Sequence, residues 1–195
     1  AIENSGTGLI RNISNSSFIN NVVSNSVGGA ISNSTNASIN TISGSSFTSN
    51  VANGGGAVYN SGSITSLAAN FTKNKATTGN GGAIYNYIDN ADETASIGSL
   101  IGVFDKNIAL SGLGGAIYNA HGANGGMAEI TIKDSTFTNN VAGVSGGAIW
   151  NNSYVYIIAD LEDVEFSNNI AGQNGGAIYN NYCNGSKYFI SNCQF

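Results

Sequence analysis

Apolar and polar positions along this chain alternate in short bursts, each a few residues long and bounded by Gly, Asn and Ser. One burst recurs. GGAIYN occupies 81–86, 114–119 and 175–180, with GGAISN at 28–33, GGAVYN at 55–60 and GGAIWN at 146–151. Ala1-Ile2-Glu3-Asn4 reads as a copy without its glycines. The fourth position is Ile2, Ile31, Val58, Ile84, Ile117, Ile149 and Ile178, always β-branched and apolar, so it faces a core. Successive strand residues point to opposite faces, which turns the fifth position outward. Its contents agree: Glu3, Ser32, Tyr59, Tyr85, Tyr118, Trp150 and Tyr179. The sixth is Asn4, Asn33, Asn60, Asn86, Asn119, Asn151 and Asn180, and points inward at a corner.

A second burst, Phe-x-x-Asn, alternates with the first. Its aromatic positions are Phe18, Phe47, Phe71, Phe104, Phe137 and Phe166, and its amides are Asn21, Asn50, Asn74, Asn107, Asn140 and Asn169. The Phe spacings run 29, 24, 33, 33 and 29, with a further 29 to Phe195. Self-similarity at such periods marks a solenoid. Helical repeats would show a 3.6-residue period. Here β-branched and aromatic residues sit between turn formers, which predicts strands, and Gly and Asn tolerate the φ > 0 of tight corners. The fold expected is all-β: a right-handed parallel β-helix of about six to seven coils, stacked about 4.8 Å apart. The interior Asn side chains must have partners, and in register each can donate to the next, forming ladders. The Phe rings should stack with centroids roughly 4.5–7 Å apart. Ala52, Ala76, Ala109, Ala142 and Ala171, two residues past each Asn, leave room for that stack.

Paired GGA[ILV] and FxxN motifs resemble the polymorphic outer-membrane protein repeat family of chlamydial-type autotransporter passengers and other bacterial surface proteins. The resemblance covers nearly the whole chain in six alternating pairs. It implies an exported, extracellular β-helical passenger displayed on the outer membrane, in a family whose repeats are associated with adhesion to host cells. The chain departs from the family in lacking the C-terminal membrane barrel. KYFISNCQF at 187–195 lacks the alternation of a barrel strand. Both ends fall inside the repeat, so residues 1–195 read as one β-helix domain. It is a segment of a longer solenoid, or else an uncapped subunit.

Composition narrows the partners. The formal net charge is −5, and the six basic residues are scattered, which argues against a nucleic-acid partner. No apolar run approaches the ~20 residues of a membrane-spanning helix, and the chain begins at Ala1 with no signal peptide. No motif calls for a cofactor. Cys183 and Cys193 either form a disulfide in an oxidising compartment or are two small buried side chains.

Candidate chemistry lies where the copies differ. The outward stripe Tyr59, Tyr85, Tyr118, Trp150 and Tyr179 should form a ladder of exposed rings able to bind a sugar or a partner surface. The alternative is a stripe that only stabilises the sheet. Two long inserts, Tyr87–Ser96 and Ala120–Met127, break the minimal coil. Asp89, Asp92 and Glu93 in the first are a calcium candidate without a regular loop spacing, set against an ordinary solvated turn. His121 reads as a surface residue. Asp160, Glu162, Asp163 and Glu165 read as the solvated face of a strand. Asn-x-Ser/Thr sequons are expected by chance in so Asn- and Ser-rich a chain.

Three functions compete. The first is an extracellular surface adhesin or structural repeat protein, with a host-cell or neighbouring-cell receptor or glycan as partner. The second is a subunit assembling head to tail into a fibre through its β-helix ends. The third is a polysaccharide-active enzyme, for which Asp105-Lys106 and Lys133-Asp134 on neighbouring coils could form one charged patch. Hydrolysis needs two carboxylates at a set separation, and no such convergent set is evident. The expectation is therefore no enzyme.

Overall fold

The computed structural model describes residues 1–152, 160–181 and 189–190. Every strand pairing in it is parallel, and the strands stack into a β-solenoid of about six turns. Three sheets form its faces. The short sheet holds the GGAIxN strands: Ile2–Asn4, Ile31–Asn33, Val58–Asn60, Ile84–Ile88, Ile117–His121, Ile149–Asn152 and Ile178–Asn181. The long sheet carries each coil through its FxxN phenylalanine, as in Ser38–Thr48, Ser63–Thr72 and Met127–Thr138. The narrow sheet is made of two-residue strands, Val51–Ala52, Lys75–Ala76, Ile108–Ala109, Val141–Ala142 and Ile170–Ala171.

Register follows the motif. Ile2 pairs with Ile31, Val58 with Ile84, and Ile117 with Ile149, while Asn4 pairs with Asn33 and Asn119 with Asn151. A one-residue slip would move every Ile from the bore to the surface, so burial itself locks the stacking. Phe47, Phe71, Phe104 and Phe137 are fully buried. From Phe18 to Phe166 the rings stack nearly parallel, with centroids 4.6–5.0 Å apart.

Both Asn ladders form. In the short sheet each Nδ2 donates to the Oδ1 of the next coil's Asn at 2.7–3.2 Å, from Asn4 through to Asn180. The FxxN ladder is tied more completely. Asn74 Nδ2 donates back to Phe47 O at 2.9 Å and on to Asn107 Oδ1 at 3.0 Å. Asn74 Oδ1 in turn accepts from both the backbone N–H and the Nδ2 of Asn50. One amide thus joins three coils, with both protons and the oxygen satisfied, which is what allows full burial of so polar a group.

The residue before each of these Asn holds the left-handed corner. Asn20, Ser49, Lys73, Lys106, Asn139 and Asn168 all have φ of 54–56°. Ser and Lys are not residue types that favour this region; the Phe stack on one side and the FxxN ladder on the other over-determine it. The GGA glycines serve the opposite corner in two ways. The first of each pair has φ of 56–70°. The second is in the right-handed half of the map, and its role is space: a Cβ on Gly82 would strike the carbonyl oxygen of Gly115 in the next coil.

Candidate functional site

The outer face of the short sheet carries the aromatic rank, and outward does not mean exposed. Tyr118 and Trp150 keep only 8% and 5% of their surface accessible. With Ala120 they form a second apolar cluster outside the bore, flanked by Tyr85, Tyr87, Leu113 and Tyr179. Tyr118 stacks flat on Trp150 at 4.6 Å, while Tyr85 meets Tyr118 edge-on at 4.9 Å and Tyr59 at 5.6 Å. The corner turns fold over the rank: the Tyr85 ring lies against Gly54, where a Cβ would collide with it. The expectation of five exposed rings is therefore corrected. Tyr118 and Trp150 are a covered core, whereas Tyr59, Tyr85 and Tyr179 remain partly accessible.

Burial shows in the phenols. It is the leading cause that pushes Tyr85 up to about 12, reinforced by Tyr87 and Tyr59, and it raises Tyr118 further still. A phenol whose folded pKa is raised contributes stability that is complete below its unfolded pKa near 10 and is lost as pH rises through the folded value. The chain is expected to weaken steadily between pH 10 and 12. Tyr85→Phe should flatten that decline, as read from urea midpoints at pH 8, 10 and 11. An equal pH slope in the variant would refute the assignment.

The inserts do not break the coil; they extend it. Tyr87 pairs with Ala120 and Ile88 with His121, so two extra ladder positions carry the sheet outward. The inserts then lean on each other: Gly122 N–H donates to Ile88 O at 2.7 Å, Met127 N–H to Glu93 O at 3.0 Å, and Asn124 N–H to Asp89 Oδ1 at 3.0 Å. His121 is consequently buried at 5% exposure, with Nδ1 2.7 Å from Gly122 O, not a surface residue as its Gly-rich context suggested.

This ledge stands beside much shorter corners at 34–37 and 61–62, and the difference in height makes a cleft of about 420 Å³. Tyr59 and Tyr87 line it, with Ile88 and Asn90 beside them. Thr35 and Ser61, their hydroxyls 3.0 Å apart, line one side, and Asp89 and Glu93 the other. Asn36 Nδ2 reaches across to Glu93 Oε1 at 3.4 Å. A smaller cavity of about 250 Å³ adjoins it, sharing Thr35 and Glu93 and adding Asp92. Burial first and the Asp89 charge second raise the Tyr87 phenol, so the carboxylate acts on the ring. Sequence reasoning grouped Asp89, Asp92 and Glu93 as a calcium candidate and named Tyr59 in the aromatic stripe without joining the two, and it missed Tyr87, Thr35 and Ser61 as site residues. Tyr87 was readable as the next outward residue after Tyr85; Thr35 and Ser61 carry no signal until the coils are stacked.

Other candidates fall apart. Among the described residues no three His, Cys, Asp or Glu side chains are placed to hold a metal. Asp105 and Lys106 pair at 3.4 Å, and Asp105 also accepts from Thr138 and Asn139. Burial opposes the Asp105 charge, but these hydrogen bonds and Lys106 outweigh it and hold the carboxyl below its usual range. Asp105 stands in register with Thr138, while Lys133 and Asp134 lie at the bend of that strand, so the single charged patch does not form. Asp160–Ser167 is a strand with Val164 and Phe166 buried and Glu165 exposed; the side chains of Asp160, Glu162 and Asp163 lie outside the described residues, as do Cys183 and Cys193.

A sequence model of the Chlamydia polymorphic membrane protein repeat matches residues 69–87, 102–120, 134–152 and 163–181. Each match spans one FxxN motif and the GGAIxN that follows it. No curated protein sequence and no solved structure matches the chain.

Proposed function

We propose, from the premise that this chain carries Chlamydia polymorphic membrane protein repeats, that it is the surface-exposed solenoid of an outer-membrane protein and acts as an adhesin. The family's character as a membrane-protein repeat supports export and display. The scaffold side chains are consumed by packing: Ile, Phe and Asn of both motifs face the bore. What is left for recognition is the outer surface, and there the cleft beside Tyr59 and Tyr87 is the observation that carries the adhesive reading. It is a concavity with aromatic walls and convergent polar groups, the usual form of a binding site. It also exists only because two coils are longer than their neighbours, a departure that the scaffold does not require.

The test is retention of the purified chain on animal and bacterial cells, measured by flow cytometry. The double variant Tyr59→Ser, Tyr87→Ser is expected to lose at least tenfold in apparent affinity. Thr72→Ala, on the opposite long sheet, should bind as the parent does. Undiminished binding by the tyrosine variant would overturn the adhesive role of the cleft.

A further inference from the structure

The lining of the cleft is one-sided in its chemistry. Asp89 and Glu93 present carboxylates, and Asp92 adds another in the adjoining groove. Among the described residues no Lys, Arg or His lines either cavity. Among them, too, neither Asp89 nor Glu93 has a cationic partner. Asp89 Oδ1 accepts from the Asn124 backbone N–H, and Glu93 Oε1 accepts a long 3.4 Å contact from Asn36. Thr35 and Ser61 share one hydrogen bond at 3.0 Å, which takes up one of their two hydroxyl protons. The cleft thus joins two carboxylates to aromatic surface with no cation in its lining.

We infer that the cleft binds a basic segment of a protein partner, with an arginine or lysine side chain seated against Tyr59 and Tyr87 and paired with Asp89 and Glu93. An aromatic face attracts a cation through its quadrupole. A guanidinium satisfies both demands at once, since it lies flat on a ring while its edge donates to a carboxylate in a bidentate pair. Acidic ligands are repelled by the same lining. The smaller groove shares Thr35 and Glu93 with the cleft and adds Asp92, so a second basic side chain of the same segment has a carboxylate beside the first. The partner class follows from charge complementarity, and it rests on the adhesive reading of this cleft.

The experiment is calorimetric titration of the chain with a blocked Gly-Arg-Gly-Arg-Gly peptide, its Glu counterpart and cellotetraose. Saturable binding by the Arg peptide alone is expected, weakening several-fold between 50 and 300 mM salt as screening rises. Asp89→Asn with Glu93→Gln should reduce it at least tenfold. Asn at 89 retains the oxygen that accepts from Asn124, so the ledge is preserved, and an unchanged urea midpoint checks this. Equal binding by the carboxamide variant, binding of the Glu peptide, or no binding at all would overturn the inference. Binding of cellotetraose in place of the Arg peptide would also overturn it, and would make the cleft a glycan site. Failure here with tyrosine-dependent cell binding intact would leave adhesion standing. Peptide binding with tyrosine-independent cell binding would remove the adhesive role instead.

Discussion

Asn107→Leu is expected to cost the chain about 3–5 kcal/mol of folding stability, from two buried donors left without acceptors at about 1–3 kcal/mol each plus the bonds lost by the amide itself. The Asn74 backbone N–H and one Asn74 Nδ2 proton both end on Asn107 Oδ1, at 3.0 Å each. Asn107 Nδ2 supplies Phe71 O and Asn140 Oδ1. Leucine has the volume but none of these functions. Against a total stability of about 5–15 kcal/mol for a domain, the loss should appear as a large fall in urea midpoint. Asn107→Asp separates polarity from size. The carboxylate keeps the two acceptor roles and loses both donor roles, facing Phe71 O and Asn140 Oδ1 with negative charge. Its folded pKa is therefore raised, so its stability is best below the unfolded value near 4 and falls as pH rises. A pH-independent Asp variant, or a Leu variant with the parent's midpoint, would show that the ladder contributes little.

The second large effect belongs to a methyl group. Gly82→Ala places a Cβ against Gly115 O and the Ile108 backbone. None of these atoms can move without separating two coils. The bonds at risk are Gly82 N–H to Gly114 O at 3.1 Å, and Ala83 and Ile84 N–H to Ala116 O at 2.9 Å. Overpacking alone costs about 1–3 kcal/mol, and loss of the adjacent pairing brings the expected total to about 3–5 kcal/mol. Gly6→Ala is the control. Gly6 has φ of 61° with nothing within 4 Å of a new Cβ, so only the left-handed penalty of about 1–2 kcal/mol applies. Equal midpoints for the two variants would show that close coil approach is not why the second glycine is there.

How much of this was readable from residues alone differs from position to position. The in-phase recurrence of Ile84, Asn86 and Phe104 gave the bore, both ladders and the Phe stack, because a buried position in a solenoid must satisfy its equivalents above and below. Lys73 and Lys106 concealed the left-handed corner, because their side chains point to solvent and nothing in their type announces φ near 55°. His121 misled for the opposite reason. Its glycine-rich neighbourhood resembles a loop, yet the strand continues through it in register with Ile88.

Alternation along a strand, together with the repeat, is a local property, and so the sequence by itself determined the solenoid, the inward faces and the register. Exposure is a property of neighbours that are distant in the chain. Whether an outward ring is wet depends on how tall the adjacent corner turns are, and that is why Tyr118 and Trp150 are covered while Tyr59 borders a cleft. Only the stacking of coils of unequal length brought Thr35, Tyr59, Tyr87, Asp89 and Glu93 around one space.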